Sequence, residues 1–310
     1  MLMDFTDVSL VGLRVVREIA ERGTFSAAAT ALGYTQSAVS RQVAAVERAA
    51  GMELFERRHD GAVPTPACRL VLRRAAVVLD EIDAADRELR GLPVSTGTVR
   101  LGAFPSAGAV LLPTALSDLR RTHPGITVHT RDGGTPALVR ALRAGTLDLA
   151  VLASAPPFRP PDNDSPALVV RVLAERNLCV AVSTAHPLAS DEVVTVTDLR
   201  GQRWITGRPD GDGTPLGVWP GLAERPEIHH VARDWQARLG LVAADCGITT
   251  VPALLVPALP PGVRALRVVG EPEERRRLVI AHLPHTLSDA TTRVTEALRA
   301  AAARLGGDRD

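Results

Sequence analysis

The stretch "TFSAAATALGYTQSAVSRQVAAVE" runs from Thr24 to Glu47 and holds two short helical segments joined by Gly33-Tyr34-Thr35. In the second segment Val39, Val43 and Val46 fall at i, i+4 and i+7, one apolar stripe of a helix. Gln36, Ser37, Ser40, Arg41, Ala44 and Arg48 fall on the other face, and Thr35 is placed to cap the start. Amides, hydroxyls and guanidinium groups at the N-terminal half of a helix match the edges of bases and phosphate oxygens. The helix start itself favours an anion. The first segment, Ser26 to Leu32, is alanine-rich, so a neighbouring helix can approach closely. Gly33 is suited to end it in the left-handed conformation, which leaves the short joint of a helix-turn-helix. Upstream, Leu10 to Glu21 carries Leu10, Leu13 and Val16 as a third apolar stripe. An ordinary three-helix bundle satisfies the same periodicity.

Working outward, "LFERRHDGAVPTP" reads as a hairpin turning at Asp60-Gly61, with Arg57, Arg58 and His59 near its tip. Such a wing suits a phosphate backbone. Bulk charge gives no help: residues 1–64 hold seven Arg and eight Asp plus Glu, 7 − 8 = −1, whereas a DNA-binding domain is expected to be basic.

The run from "GTFSAAATALGYTQSAVSRQVAAVERAAGMELFERR" to "PTPA" resembles the DNA-binding domain of LysR-type transcriptional regulators. The family pattern is kept at Phe25, Ser26, Ala28 and Ala29, at Thr35 to Ser40, at Gln42, Val43, Glu47 and Gly51, and at Leu54, Phe55, Arg57, Thr65 and Ala67. Ser37 stands where proline is commonest, Val46 replaces a usual leucine, and Cys68 replaces a usual glycine after the wing. The resemblance implies a winged helix-turn-helix over residues 1–66 whose second helix enters the major groove of double-stranded DNA. It implies Gln36, Ser37, Ser40 and Arg41 at or near base edges, and Ser26, Thr35, Arg57 and Arg58 at phosphates.

Residues 67–90 lack Pro and Gly. Leu72, Ala75, Leu79, Ile82, Asp86 and Leu89 step by three and four, an a/d seam over about three heptads. This suits a linker helix that pairs two chains, and the family resemblance implies a homodimer through it, assembled further into a homotetramer. "GLPVSTG" then reads as a hinge, residues 91–96.

From Thr98 strands and helices alternate. "TVRLGA", "ITVHTR" and "LDLAVLA", with helices at Ala109–Arg121 and from Thr135 to Gly145, form a β-α-β-α-β unit with a parallel sheet. Ser154–Pro166 is proline-rich and reads as a crossover. "ALVVRVLAE", "LCVAVS" and "RWIT" read as three strands of a second lobe, followed by a helix at Trp235–Ala244. "RALRVV" and "RRLVIAH" are expected to return the chain to the first lobe, before a last helix at Ser288–Leu305. Residues 97–305 are similar, more loosely, to the two-lobed α/β effector-binding domain of the same family, related in fold to periplasmic binding proteins. Asp245-Cys246 departs from the small residues usual there.

A cleft between two such lobes is lined by loops after strands. Ser106 precedes a helix and Thr135 is read as a helix cap, an arrangement that fits an anionic or carboxylate-bearing small-molecule effector. Trp204 and Thr206 sit at a strand end and Trp235 at a helix start. In a chain with 3 % aromatic residues these tryptophans suit either a flat apolar ligand part or the core.

Composition narrows the alternatives. All 36 basic residues are Arg, so a Walker A lysine and Schiff-base chemistry are excluded. Three scattered cysteines, Cys68, Cys179 and Cys246, form no C-x-x-C and fit a reducing compartment. No signal-peptide pattern or membrane-length apolar run is present, so a cytoplasmic protein without a membrane partner is expected. His282 and His285 lack zinc-enzyme spacing, His229-His230 would face opposite sides of a strand, and no G-x-S-x-G occurs. No catalytic site, metal or cofactor is expected, and the chain reads as a regulator rather than an enzyme. The competing reading is a cytoplasmic small-molecule-binding α/β protein or enzyme with an incidental N-terminal helical bundle.

Overall fold

The computed structural model describes residues 5–59, 61–89, 96–207, 217–270 and 274–305. Three helices open the chain: α1 (Leu10–Arg22), α2 (Phe25–Leu32) and α3 (Gln36–Ala50). Each starts at a hydroxyl cap and stops at a left-handed glycine. Ser9, Thr24 and Thr35 accept from the backbone N–H of Gly12, Ala27 and Ala38, while Gly23, Gly33 and Gly51 close the C-termini with positive φ. Gly23 is followed at once by the cap Thr24, so the α1–α2 joint is one residue shorter than the α2–α3 joint. The valine stripe of α3 is buried with Val16 and Ile19 of α1 and Ala28 and Ala29 of α2.

The expected hairpin forms, but Gly61 stands in its second strand opposite Arg58 and not in the turn, and Asp60 lies outside the described residues. β1 (Phe55–Arg58) pairs antiparallel with β2 (Gly61–Pro64). Phe55 meets Phe25 edge to face at 5.9 Å, and Ala62 N–H donates to Gly23 O at 2.7 Å. At Gly61 (φ +145°) a Cβ would lie 2.5 Å from Gly23 O, so glycine there allows the wing to lie against the α1–α2 joint.

The linker helix α4 (Pro66–Leu89) corrects one expectation. Leu72, Ala75 and Leu79 belong to the head's own core, beside Cys68 and Val71. They are the buried stripe of an intrachain contact. Leu70, Val77, Val78, Ile82 and Leu89 are exposed. Ile82 and Leu89 continue the face of Leu72, Ala75 and Leu79 beyond the head's core. The expected hinge at 91–96 lies outside the described residues except for Thr96.

The first lobe holds β3 (Gly97–Ala103), α5 (Pro105–Thr122), β4 (Ile126–Asp132), α6 (Thr135–Arg143) and β5 (Leu149–Ser154). β3 lies parallel between β4 and β5, so Ala103, Asp132 and Val151 come level near their C-terminal ends. β12 (Arg275–His282) joins β5 antiparallel, and α8 (Asp289–Arg304) packs with α5 over one face while α6 covers the other. The Ser154–Pro166 crossover is anchored by Arg143, which donates to both Asp162 carboxylate oxygens at 2.8 and 2.7 Å and to Pro166 O. Arg143 holds the Asp162 carboxyl below its ordinary range.

Two expected strands prove to be one. β6 (Val169–Ser183) runs unbroken through "VVRVLAERNLCVAVS". Its first part pairs with β12 in the first lobe, and its last part pairs with β10 (Thr249–Pro252) and β11 (Val263–Val269) in the second. No turn residue interrupts it, so the chain passes between lobes inside one strand. β11 stays in the second lobe, beside β7 (Val193–Thr195), and β12 alone carries the chain back. The second lobe is completed by β8 (Arg203–Thr206), β9 (Glu227–Val231) and α7 (Trp235–Ala243).

Candidate DNA-binding face and effector cleft

The polar face of α3 stands open. Thr35, Gln36, Ser37 and Arg41 are exposed and Ser40 is half-buried. The Thr35 hydroxyl is engaged in capping and shares a hydrogen with Ser37 at 3.1 Å. A hollow of about 220 Å³ is lined by Thr24, Phe25, Ser26, Gln36, Ser40, Arg58, Gly61 and Ala62. It brings together Ser26 from α2, Gln36 and Ser40 from α3 and Arg58 from the wing, residues up to 32 positions apart (58 − 26). Arg58 pairs with Glu56 at 2.9 Å with both side chains more than half exposed, so the pair is weak and Arg58 can turn to another anion. The side chain of Arg57 lies outside the described residues. Glu47 accepts from Leu54 N–H at 2.8 Å and fixes the end of α3 to the wing.

The first-lobe helices start differently. α5 and α6 have Phe104 and Gly134 at their caps, no side-chain cap hydrogen bond, and proline in the first turn. This corrects the expectation for Thr135: it is the first helical residue, and its hydroxyl donates to Ala153 O at 3.2 Å. Ser106 is buried in the first turn of α5. Both helix starts follow adjacent parallel strand ends, the usual place for a ligand in such sheets.

The second-lobe residues divide. Trp204 is 1 % exposed and packs with Leu199, Trp219 and Ile248. It is a core residue, because both faces of β8 are covered and residue 204 faces the opposite side from Ile205. Thr206 is buried at the end of β8, its carbonyl accepting from Ala232 N–H at 2.8 Å. Trp235 packs at the edge of a cluster holding Ile205, Leu239 and Val110. Val110 lies one turn beyond Ser106 on α5, so the cluster that Trp235 borders extends to the first turns of α5. Arg238, which sequence reading missed, is buried beneath Trp235 with its guanidinium carbon 4.6 Å from the ring centre. One signal was available: residue 238 lies three after Trp235 and four before Val242, on the buried arc of α7.

His282 is buried and its Nδ1 contacts Leu283 O at 2.7 Å; burial pushes its pKa below the ordinary imidazole value. Among the described residues no group of three His, Cys, Asp or Glu side chains converges on a metal site. Among them, too, no helix is long and apolar enough to cross a membrane.

A winged helix-turn-helix joined by a long helix to a two-lobed α/β domain defines a DNA-binding regulator with an effector-binding domain. Residues 10–69 match the bacterial regulatory helix-turn-helix protein model of the lysR family, and residues 94–303 match the LysR substrate binding domain. The chain belongs to the LysR family of transcriptional regulators. It is 32 % identical over 193 residues to a probable hydrogen peroxide-inducible genes activator of Mycobacterium avium, a match covering 62 % of this chain and 60 % of that protein. It is 28 % identical over 290 residues to the DNA-binding transcriptional dual regulator OxyR of Escherichia coli, covering 91 % and 92 % of the two chains. A full-length OxyR cysteine variant from Pseudomonas aeruginosa has the same fold, with a TM-score of 0.72 at 19 % identity over 95 % and 94 % of the two chains.

Proposed function

We propose that this chain binds a two-fold-related DNA site as a dimer, and that a small-molecule effector between the α/β lobes sets the geometry of that binding. The supporting observation is the hollow that gathers Ser26, Gln36, Ser40 and Arg58 from three elements at the start of α3. Gln36, Ser37, Ser40 and Arg41 act at or near base edges. Ser26, Thr35, Arg57 and Arg58 hold phosphates and set the register. Dimerisation uses the exposed apolar residues of α4, Leu70, Val77, Val78, Ile82 and Leu89, and pairs of dimers form a tetramer. Ser106, Thr135, Thr206 and Trp235 line the effector site, and the uncapped starts of α5 and α6 favour an anionic effector. Effector binding shifts the populations of lobe arrangements, and the linked heads follow. The protein is a regulator rather than an enzyme and works in the cytoplasm.

The relatives' names concern hydrogen peroxide, but the thiols here give little support for peroxide chemistry. The thiolate is the species oxidised. Burial pushes the thiol of Cys68 up to about 12 and that of Cys179 up to about 11. Only Cys246 is partly exposed.

Selection from a random-sequence duplex pool with the full-length protein tests this reading. Enrichment of a pseudo-palindrome, with half-sites separated by whole helical turns, is the expected result. A pool that stays random through repeated rounds counts against a sequence-specific regulator.

A further inference from the structure

α7 begins beside a buried positive charge that lacks a carboxylate. Arg238 is 3 % exposed. Its Nη2 donates to Ala232 O at 3.1 Å, and its Nε is enclosed with no acceptor. The acid closest in sequence, Asp234, caps the helix, its Oδ1 accepting from Ala237 N–H at 2.8 Å; its charge favours the guanidinium from a distance, and no ion pair joins the two. Two other arginines whose side chains are largely covered are treated differently. Arg143 holds Asp162 through two nitrogens, and Arg100 holds Asp148 through two. Enclosing a guanidinium without such a partner is costly, and an unmet buried donor in a native fold calls for a reason.

The location supplies one. Helical side chains lean toward the N-terminus, and the contacts to Ala232 and Trp235 set the Arg238 head level with the first turn of α7. Ala232 is tied to Thr206 at the end of β8. Trp235 borders the cluster that includes Val110, one turn from Ser106. The charge therefore sits beside the end of the second-lobe strand β8, at the edge of a cluster that reaches α5.

We propose that Arg238 is the anion-receiving residue of the effector cleft and that the Trp235 ring takes the flat apolar part of the same effector. The inference rests on reading the space between the lobes as the effector site. The effector it selects is a small carboxylate or phosphate with an apolar body. Its oxygens pair with the guanidinium edge that now lacks an acceptor, a planar fork suited to two oxygens. Because Nε is enclosed, the Trp235 ring moves off the guanidinium when the anion enters. Trp204 and Trp219 stay in the core, so binding reports in the fluorescence of Trp235.

Arg238→Met keeps an unbranched apolar stem that ends near the position of Nε and removes the guanidinium charge. Without any ligand, the variant of the full chain is expected to melt a few degrees higher, as replacing an uncompensated buried charge with an apolar group predicts. Ligand binding is read by tryptophan quenching with phenylacetate, succinate and inorganic phosphate, against phenylacetamide and succinamide as neutral controls. At least one anion is expected to quench wild type, its amide to bind at least about tenfold more weakly, and Arg238→Met to lose about tenfold or more. Arg238→Lys should restore part of the loss. Equal binding of an acid and its amide, or unchanged anion binding in Arg238→Met, overturns the role of Arg238 and leaves the cleft reading standing. A lower melting temperature in Arg238→Met, with no anion quenching wild type, makes Arg238 a structural brace for Ala232 and overturns the proposal. Anion binding lost in Arg238→Met but untouched in Ser106→Val overturns the cleft placement and spares the anion site.

Discussion

The helix starts of the head and those of the first lobe's α5 and α6 are of two kinds. In the head, α1, α2 and α3 begin at Ser9, Thr24 and Thr35, each hydroxyl closing a hydrogen bond onto its own helix. In the first lobe, α5 and α6 begin at Phe104 and Gly134 with no side-chain cap. A capped start is finished by its own chain, so α3 is held at a fixed pitch and offers side chains to a partner. An uncapped start leaves backbone N–H groups and the positive helix end to be satisfied from outside. The head thus presents side chains, while α5 and α6 leave their starts open; α7 and α8, capped by Asp234 and Ser288, follow the pattern of the head.

The largest effects should break the head and leave the lobes intact. Arg41→Ala removes an exposed guanidinium from α3 and should weaken binding to the selected site by about 1–3 kcal/mol. Anisotropy measures this, and an unchanged melting curve would show that folding was spared. Val78→Asp places a charge among the exposed apolar residues of α4, where Val78 is 44 % exposed. Sedimentation should show the dimer falling apart, with the monomer's helical content kept; a dimer that survives would assign pairing to another surface.

Smaller effects sharpen the contrast between starts. Thr35→Ala removes the cap of α3 and should cost about 1 kcal/mol of stability in denaturant unfolding, with a loss of DNA affinity that exceeds the loss of one phosphate contact. Gly134→Asp does the reverse at α6. Gly134 has φ −72° and ψ 158°, so a side chain fits the backbone, and the new carboxylate should cap the helix. Stability should rise by a few tenths of a kcal/mol, while binding of any anionic effector weakens in a titration. Stronger anion binding in that variant would contradict the reading of the uncapped start.

The head was legible because its information is contiguous. The cap, valine stripe and glycine stop of α3 lie within Thr35 to Gly51, and the hairpin turn follows at once. The lobes were legible as an alternation of elements, but not in detail. β6 reads as two strands because its hydrophobicity changes partway, where it leaves one lobe for the other; only pairing partners show that it is continuous. The face of Trp204 was not legible, since both faces of β8 are buried and alternation carries no signal there. Leu72, Ala75 and Leu79 form a good seam in sequence together with Ile82 and Leu89, yet the sequence does not show where that face leaves the head's core for solvent. Arg238 was hidden for a related reason. An arginine on a short helix reads as solvated, and its burial depends on Ala232 and Trp235 folding over it.

The most direct measurement is fluorescence anisotropy of the full-length protein on its selected duplex and on a scrambled duplex of equal composition, both titrated with salt. Tight, sequence-selective binding with a steep salt slope from released phosphate counterions is expected, with loss of the selectivity in Arg41→Ala. Equal, weak binding to both duplexes, or selectivity that survives Arg41→Ala, would contradict the claim that α3 reads DNA.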